Sequence, residues 1–205
     1  MPKQEAPLDH LSHFIPAAAV QAVLAFLHQY KVHLTVTRER KSILGDYRHA
    51  TLYKTHRISV NGNLNRYSFL ITLIHELAHL ATFQQYRNRV AAHGGEWKKI
   101  YAGMMQEFLK LDIFPPDITE TLRQSMINPP ASSCADDELI RVLKKHDDRE
   151  NGLVMVEELR EGGMFDIGKG KLFMKGKKLR KRYQCTEVKT GKVYLFSPIY
   201  EVKAV

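Results

Sequence analysis

The chain has 205 residues, 44% of them hydrophobic and 26% charged, and a net charge of +9 at pH 7. That is ordinary globular material, enough for one good core and a small satellite. No run approaches the roughly 18 apolar residues that span a bilayer, MPKQEAPLDHLSHFIP lacks a signal peptide's apolar stretch, and two distant cysteines make no disulfide framework, so a reducing cytoplasm and no membrane partner are expected.

A first helix is expected from Pro16, a favoured first-turn residue, through AAAVQAVLAFLHQY, with Val20, Val23, Leu24 and Leu27 on one face. HLTVTRER alternates apolar and polar residues, GDYRHAT reads as turn and strand, and THRISV alternates again before NGN breaks the pattern. Together they suggest a small antiparallel meander. Asn63, Asn65 and Ser68 then offer caps for a following helix.

That helix carries LITLIHELAHLATF, Leu70 to Phe83. His75 and His79, four apart, project from the same face one turn above each other, so two imidazoles can grip one cation. Glu76 is rotated roughly 100° from His75 and can take a proton from water beside such a cation. Paired histidines can also be core residues bonded to backbone. That reading leaves Glu76 unexplained, because burying an unpaired polar group among leucines costs about 2–7 kcal/mol. Leu70, Leu73, Ile74, Leu77, Ala78 and Leu80 supply the apolar surface that would hold the helix rigid.

A catalytic zinc usually takes three protein ligands and keeps one position open. The metzincin pattern is not met, since Gln85 stands where its third histidine would be and Thr82 where it wants glycine. Next comes HGGEWKKIYAGMM, where His93 sits at the entrance of an amphipathic run carrying Trp97, Ile100, Tyr101, Met104 and Met105. His93 can turn back toward the first helix and is preferred as third ligand; Glu96, one turn further in, would instead give a His-His-Glu site. His10, His13, His28, His33, His49, His56 and His146 have no ligand spacing.

Two Pro-Pro pairs mark DIFPPDITETLRQSMINPPASSC as a connector, with the core ending near Ser125. ADDELIRVLKKHD reads as a short helix, its acids at the start and lysines at the end, as the macrodipole favours. From Gly152 onward LVMVEEL, MFDI, KLFMKG, RKRYQCTEV and KVYLFSPIYEV are strand-like. The expected organisation is a domain over 1–125, a linker with a short helix over 126–150 and a small basic β domain over 151–205. Lys169 to Lys192 holds ten basic residues against one acid, Glu187, which equals the net charge of the whole chain. Lys175, Lys177, Lys178, Arg180, Lys181 and Arg182 are candidate phosphate contacts, and the solvated face of a β domain is the competing reading.

With HELAH at 75–79 and HGGEW at 93–97, the chain resembles the SprT-like metallopeptidases, the family that includes the DNA-dependent protease Spartan, and RISVNGNLNRYSFL resembles that family's approach to the zinc helix. The likeness covers about residues 15–110. It implies an α+β fold with a zincin-like core: N-terminal helix, meander, HExxH helix and following helix. It also implies one Zn2+ held by His75, His79 and His93, with Glu76 as catalytic base and a protein or peptide as substrate. DNA enters by analogy with Spartan. In zincins an edge strand beside the metal commonly receives the substrate backbone. Many members carry a C-terminal zinc ribbon of four cysteines, whereas this chain has Cys134 and Cys185 alone and Val188 where a C-x-x-C would want cysteine, so a degenerate ribbon without zinc is expected. A non-catalytic nucleic-acid-binding module on a zincin scaffold is the alternative function. Tyr47, Tyr53 and Tyr67 are undifferentiated candidates for a transition-state hydrogen bond.

Overall fold

The computed structural model describes residues 8–40, 43–50, 55–127, 129, 136–147, 152–168 and 170–205; Tyr53, Cys134 and Lys169 lie outside them. The fold is mixed α+β, and the chain divides into two compact units, Met1–Asp147 and Asp148–Val205.

In the first unit α1 (Val20–Gln29) follows a short 3-10 turn at Ala17–Ala19 and buries Val23 and Leu27. Three strands come next, β1 (Val32–Thr37), β2 (Gly45–Arg48) and β3 (His56–Asn61). They do not form the expected antiparallel meander. The order is β1-β3-β2, with β3 parallel to β1 and antiparallel to β2. The most buried strand takes the centre: His56, Ile58, Val60 and Asn61 are all buried, whereas β1 buries Leu34 alone and β2 is half-buried from Gly45 to Tyr47 and exposed at Arg48. Arg40 sets the crossover, its Nε donating to Asn61 Oδ1 at 2.7 Å and its Nη1 to Ser59 Oγ at 3.0 Å. Asn61 returns its amide hydrogens to the carbonyls of Arg40 and Ile43.

The helix α2 (Arg66–Tyr86) is central rather than amphipathic, with Phe69, Leu70, Ile71, Thr72 and Leu73 buried in succession, so all its sides are covered. Asn65 caps it, Oδ1 accepting from the N–H groups of Tyr67 and Ser68 at 3.1 and 2.9 Å. α3 (Gly95–Leu109) packs beside it and buries Trp97, Tyr101, Met105 and Phe108.

The expected connector contains α4 (Pro116–Ser125), because Pro116 occupies the first turn, where proline initiates a helix, and Ile118 and Leu122 are buried one turn apart. α5 (Asp137–Lys144) buries Leu139, Val142 and Leu143 in the same core, and Asn65 Nδ2 donates to the Leu143 carbonyl at 2.9 Å. The short helix assigned from sequence to a linker thus belongs to the first unit.

The second unit is a six-stranded antiparallel sheet, β4 (Val154–Met155), β5 (Met164–Asp166), β6 (Leu172–Leu179), β7 (Arg182–Glu187), β8 (Val193–Phe196) and β9 (Glu201–Ala204), in the order β4-β9-β5-β6-β7-β8. Its core is Val156, Phe165, Phe173, Cys185 and Val202. Cys185 is a fully buried thiol whose pKa burial pushes up. Lys175 does not join the surface basic set. It is 5% exposed, its Nζ donates to the carbonyls of Glu157 and Leu159, and the ammonium lies 4.1 Å from the Tyr183 ring centroid. Lys177, Lys178, Arg180, Lys181 and Arg182 are exposed around the β6–β7 turn.

Candidate metal centre

α2 carries His75 and His79 on one face, and the turn closed by Gly94 N–H donating to the Ala91 carbonyl brings His93 over them. The Nε2 atom of His75 lies 3.2 Å from that of His79 and 3.4 Å from that of His93. Nitrogen ligands 2.0–2.1 Å from one tetrahedral ion stand about 3.3–3.4 Å apart, so the spacing suits zinc. One donor and one acceptor make a hydrogen bond, and three facing ring nitrogens cannot all satisfy one another. The triad is the one group of three ligating side chains among the described residues. Glu96 is exposed and outside it.

Burial keeps these imidazoles neutral, as metal ligands must be. His75 is pushed down to about 3, by desolvation first and then by His79 and His93. His79 falls to about 4 through burial and then His93, and burial also lowers His93.

Trp97 braces all three rings. Its ring centre is 4.7 Å from that of His75, 5.2 Å from His79 and 4.8 Å from His93, and Tyr101 stacks on its far neighbourhood with centroids 5.0 Å apart and planes 7° apart. The indole is fully buried, and its N–H has no hydrogen-bond partner among the described residues. From sequence Trp97 was one apolar residue of an amphipathic run; its place four residues after His93 was the available signal.

Glu76 is 7% exposed and lies in the wall between α2 and β2. Its carboxyl is pushed up to about 8, mainly by desolvation and next by the charge of Asp46, against the opposing pull of Arg40 and the backbone N–H of Tyr47. Gly45 makes this approach possible. A Cβ there would stand 2.6 Å from Glu76 Oε1 and 2.8 Å from both Glu76 Cγ and Thr72 Cγ2. In the sequence Gly45 reads only as part of a turn and strand.

The triad and Glu76 line a cleft of about 530 Å³ bordered by β2 and by residues 87–93. Of the three tyrosines left open by sequence, Tyr47 lines it, and Tyr67 packs instead on Phe114 and His146. Tyr47 Oη is 2.9 Å from His56 Nδ1, and His56 Nε2 is 3.0 Å from Gln84 Nε2. His49 also lines the cleft, so His49 and His56, to which sequence spacing assigned no role, belong to this neighbourhood. Neither has a spacing that could have announced it.

No helix among the described residues is long and apolar enough to cross a membrane. No curated protein and no solved structure matches the chain. The model of the SprT-like family matches residues 18–120, from the 3-10 turn before α1 through the first half of α4, including His75, Glu76, His79 and His93. The chain belongs to the SprT-like family.

Proposed function

We propose that the protein is a zinc-dependent peptidase with a zincin-like core, in which His75, His79 and His93 hold the metal and Glu76 moves the proton. Zinc bound there would supply Lewis acidity, lowering the pKa of water and polarising a peptide carbonyl. Glu76 accepts the proton of the attacking water and hands it to the leaving amine; its poorly solvated place raises its proton affinity, which favours the accepting half of that task. β2 is an edge strand whose Gly45, Asp46 and Tyr47 line the cleft, and its edge away from β3 can pair with an extended peptide backbone, a pairing that tolerates many side chains.

The observation that carries this reading is the placement of Glu76, a buried carboxyl held against a glycine beside three converging imidazoles. A scaffold that only bound nucleic acid would gain nothing from a group whose burial opposes folding. The test is metal content and cleavage of fluorescein-labelled casein by wild type and by Glu76→Gln. One zinc per chain in both, with activity lower by about 10²–10⁴-fold in the variant, is expected. Equal activity would sink the role of Glu76, and a metal-free wild type would sink the site.

The five exposed basic residues of the β6–β7 turn support a second element of the proposal, that nucleic acid binds there and delivers associated proteins as substrates.

A further inference from the structure

The cleft has an end away from the histidine triad. Phe83 and Arg87 continue its wall along α2, and at 1.5 Å per residue Arg87 stands about 12 Å from His79 along the helix axis. β2 runs alongside, since Gly45 lies against Thr72 and Glu76 while His49, just past the strand, stacks on Phe83 with centroids 4.7 Å apart and planes 4° apart. The Arg87 guanidinium sits 5.2 Å from the centre of that same ring.

This end is electropositive. The carboxylates lining the cleft among the described residues are Asp46 and Glu76, and Asp46 is paired with Arg48 at 2.8 Å. Arg87 has no ion pair among the described residues, and its charge, together with that of His49, adds to the effect of burial in lowering His56.

The backbone of Arg87 is the second observation. It closes α2 at φ 55° and ψ −137°, with its N–H donating to the Phe83 carbonyl at 2.8 Å. Glycine takes such a conformation readily and is the usual residue after a helix end. A turn alone would be better served by glycine. What arginine adds is a guanidinium at the cleft, and strain of this kind collects at functional positions.

We propose that Arg87, backed by Phe83 and His49, is a specificity site for an acidic side chain of the substrate, an Asp or Glu two to four residues from the scissile bond. The range follows from the levels of Phe83 and Arg87, about 6 and 12 Å past His79 along the axis, between which the guanidinium lies, and from roughly 3.3 Å per residue in an extended peptide. The planar fork of arginine matches a carboxylate with two parallel hydrogen bonds. Ile43, Val90 and Ala91 line the same cleft, and such apolar walls suit a peptide side chain better than the phosphates of a nucleic acid. The proposal rests on the peptidase reading and sharpens it.

The test measures binding rather than turnover. Full-length, zinc-loaded protein carrying Glu76→Gln is titrated by fluorescence anisotropy with two fluorescein-labelled dodecapeptides, one bearing Asp and the other Asn at the second, third and fourth residues on each side of a central Ala-Ala. The Asp peptide should bind about tenfold more tightly, the scale of one charged hydrogen-bond pair. Adding Arg87→Gly should erase that preference with a melting temperature unchanged or raised, because glycine suits the backbone. Arg87→Gln, which leaves the chain's flexibility alone, should erase it too. Equal affinity for the two peptides, including no measurable binding of either, overturns the proposal, as does a preference that survives both substitutions. Displacement of the Asp peptide by oligothymidylate that depends on Arg87 would also overturn it and assign the site to phosphate. Failure of the peptidase reading shows separately, as both peptides left intact by zinc-loaded wild type.

Discussion

Gly45→Ala tests whether the wall that holds Glu76 matters. The strand backbone at Gly45 is open to any residue, since its φ is not positive, so the whole effect comes from contact. The new methyl would meet Glu76 Oε1 at 2.6 Å, and restoring an ordinary separation of 3.4 Å requires a displacement of about 0.8 Å. The neighbours cannot easily give: Thr72 Cγ2 stands at 2.8 Å from the same point, and Thr72 and Glu76 are both buried on the central helix. Overpacking of this kind costs about 1–3 kcal/mol. A shift approaching 1 Å in a proton-transfer group lowers a rate by about 10²-fold. The three histidines proposed to hold zinc lie on α2 and before α3, so metal content should stay at the wild-type level. The assay combines thermal melting, zinc stoichiometry and cleavage of labelled casein. Wild-type melting and activity in Gly45→Ala would refute the idea that β2 fixes the carboxyl, and loss of zinc would show that the substitution acts through the ligands instead.

His93→Ala should lower zinc affinity far more than Glu96→Ala, measured by competition with a chelator, because the first removes a converging nitrogen and the second an exposed carboxylate. Trp97→Ala should destabilise the first unit by about 3–5 kcal/mol in denaturant unfolding, the range for a buried large aromatic, and weaken zinc binding by about 10–100-fold through loosened ligand rings. Lys175→Met should destabilise the second unit, because it leaves the carbonyls of Glu157 and Leu159 without their donor, at about 1–3 kcal/mol for a buried unsatisfied group. Duplex DNA binding should instead follow the five exposed basic residues, with log K falling against log[salt] at a slope of roughly −3 to −4.5 for three to five phosphates. Changing those five to glutamine should flatten the slope, and an unchanged slope would return the stretch to a solvated face.

The histidine triad was legible because two of its members obey a helix period and the third follows at a helix entrance; both are local signals. The supports of the triad were not. Gly45 matters only because β2 lies against α2, and Trp97 only because α3 crosses beside it, and neither adjacency is written in the spacing of residues. Strand order failed for the same reason. Alternation identified THRISV as a half-buried strand, but its central place depends on Arg40 tying the crossover to Asn61 and Ser59. Pro115 and Pro116 suggested a break, and they are one, but the second proline also starts the helix that follows.

Lys175 shows why a charge run can be read correctly in sum and wrongly in part. β6 turns alternate residues to opposite faces, and Phe173 and Lys175 both point inward, so parity alone sends one lysine into the core. Two carbonyls and the face of Tyr183 make that position tolerable for an ammonium, although burial lowers its pKa. The register then slips between Lys175 and Lys178, so that Lys178 pairs with Tyr183 and Leu179 with Arg182. After the bulge the strand reaches its turn, where Arg180 and Lys181 face solvent whatever their parity. Composition counts six charges in this stretch as equivalent. The strand register separates one structural cation from five exposed ones, and under the proposed function the two classes should respond to substitution on different axes, stability for the first and salt-dependent binding for the rest.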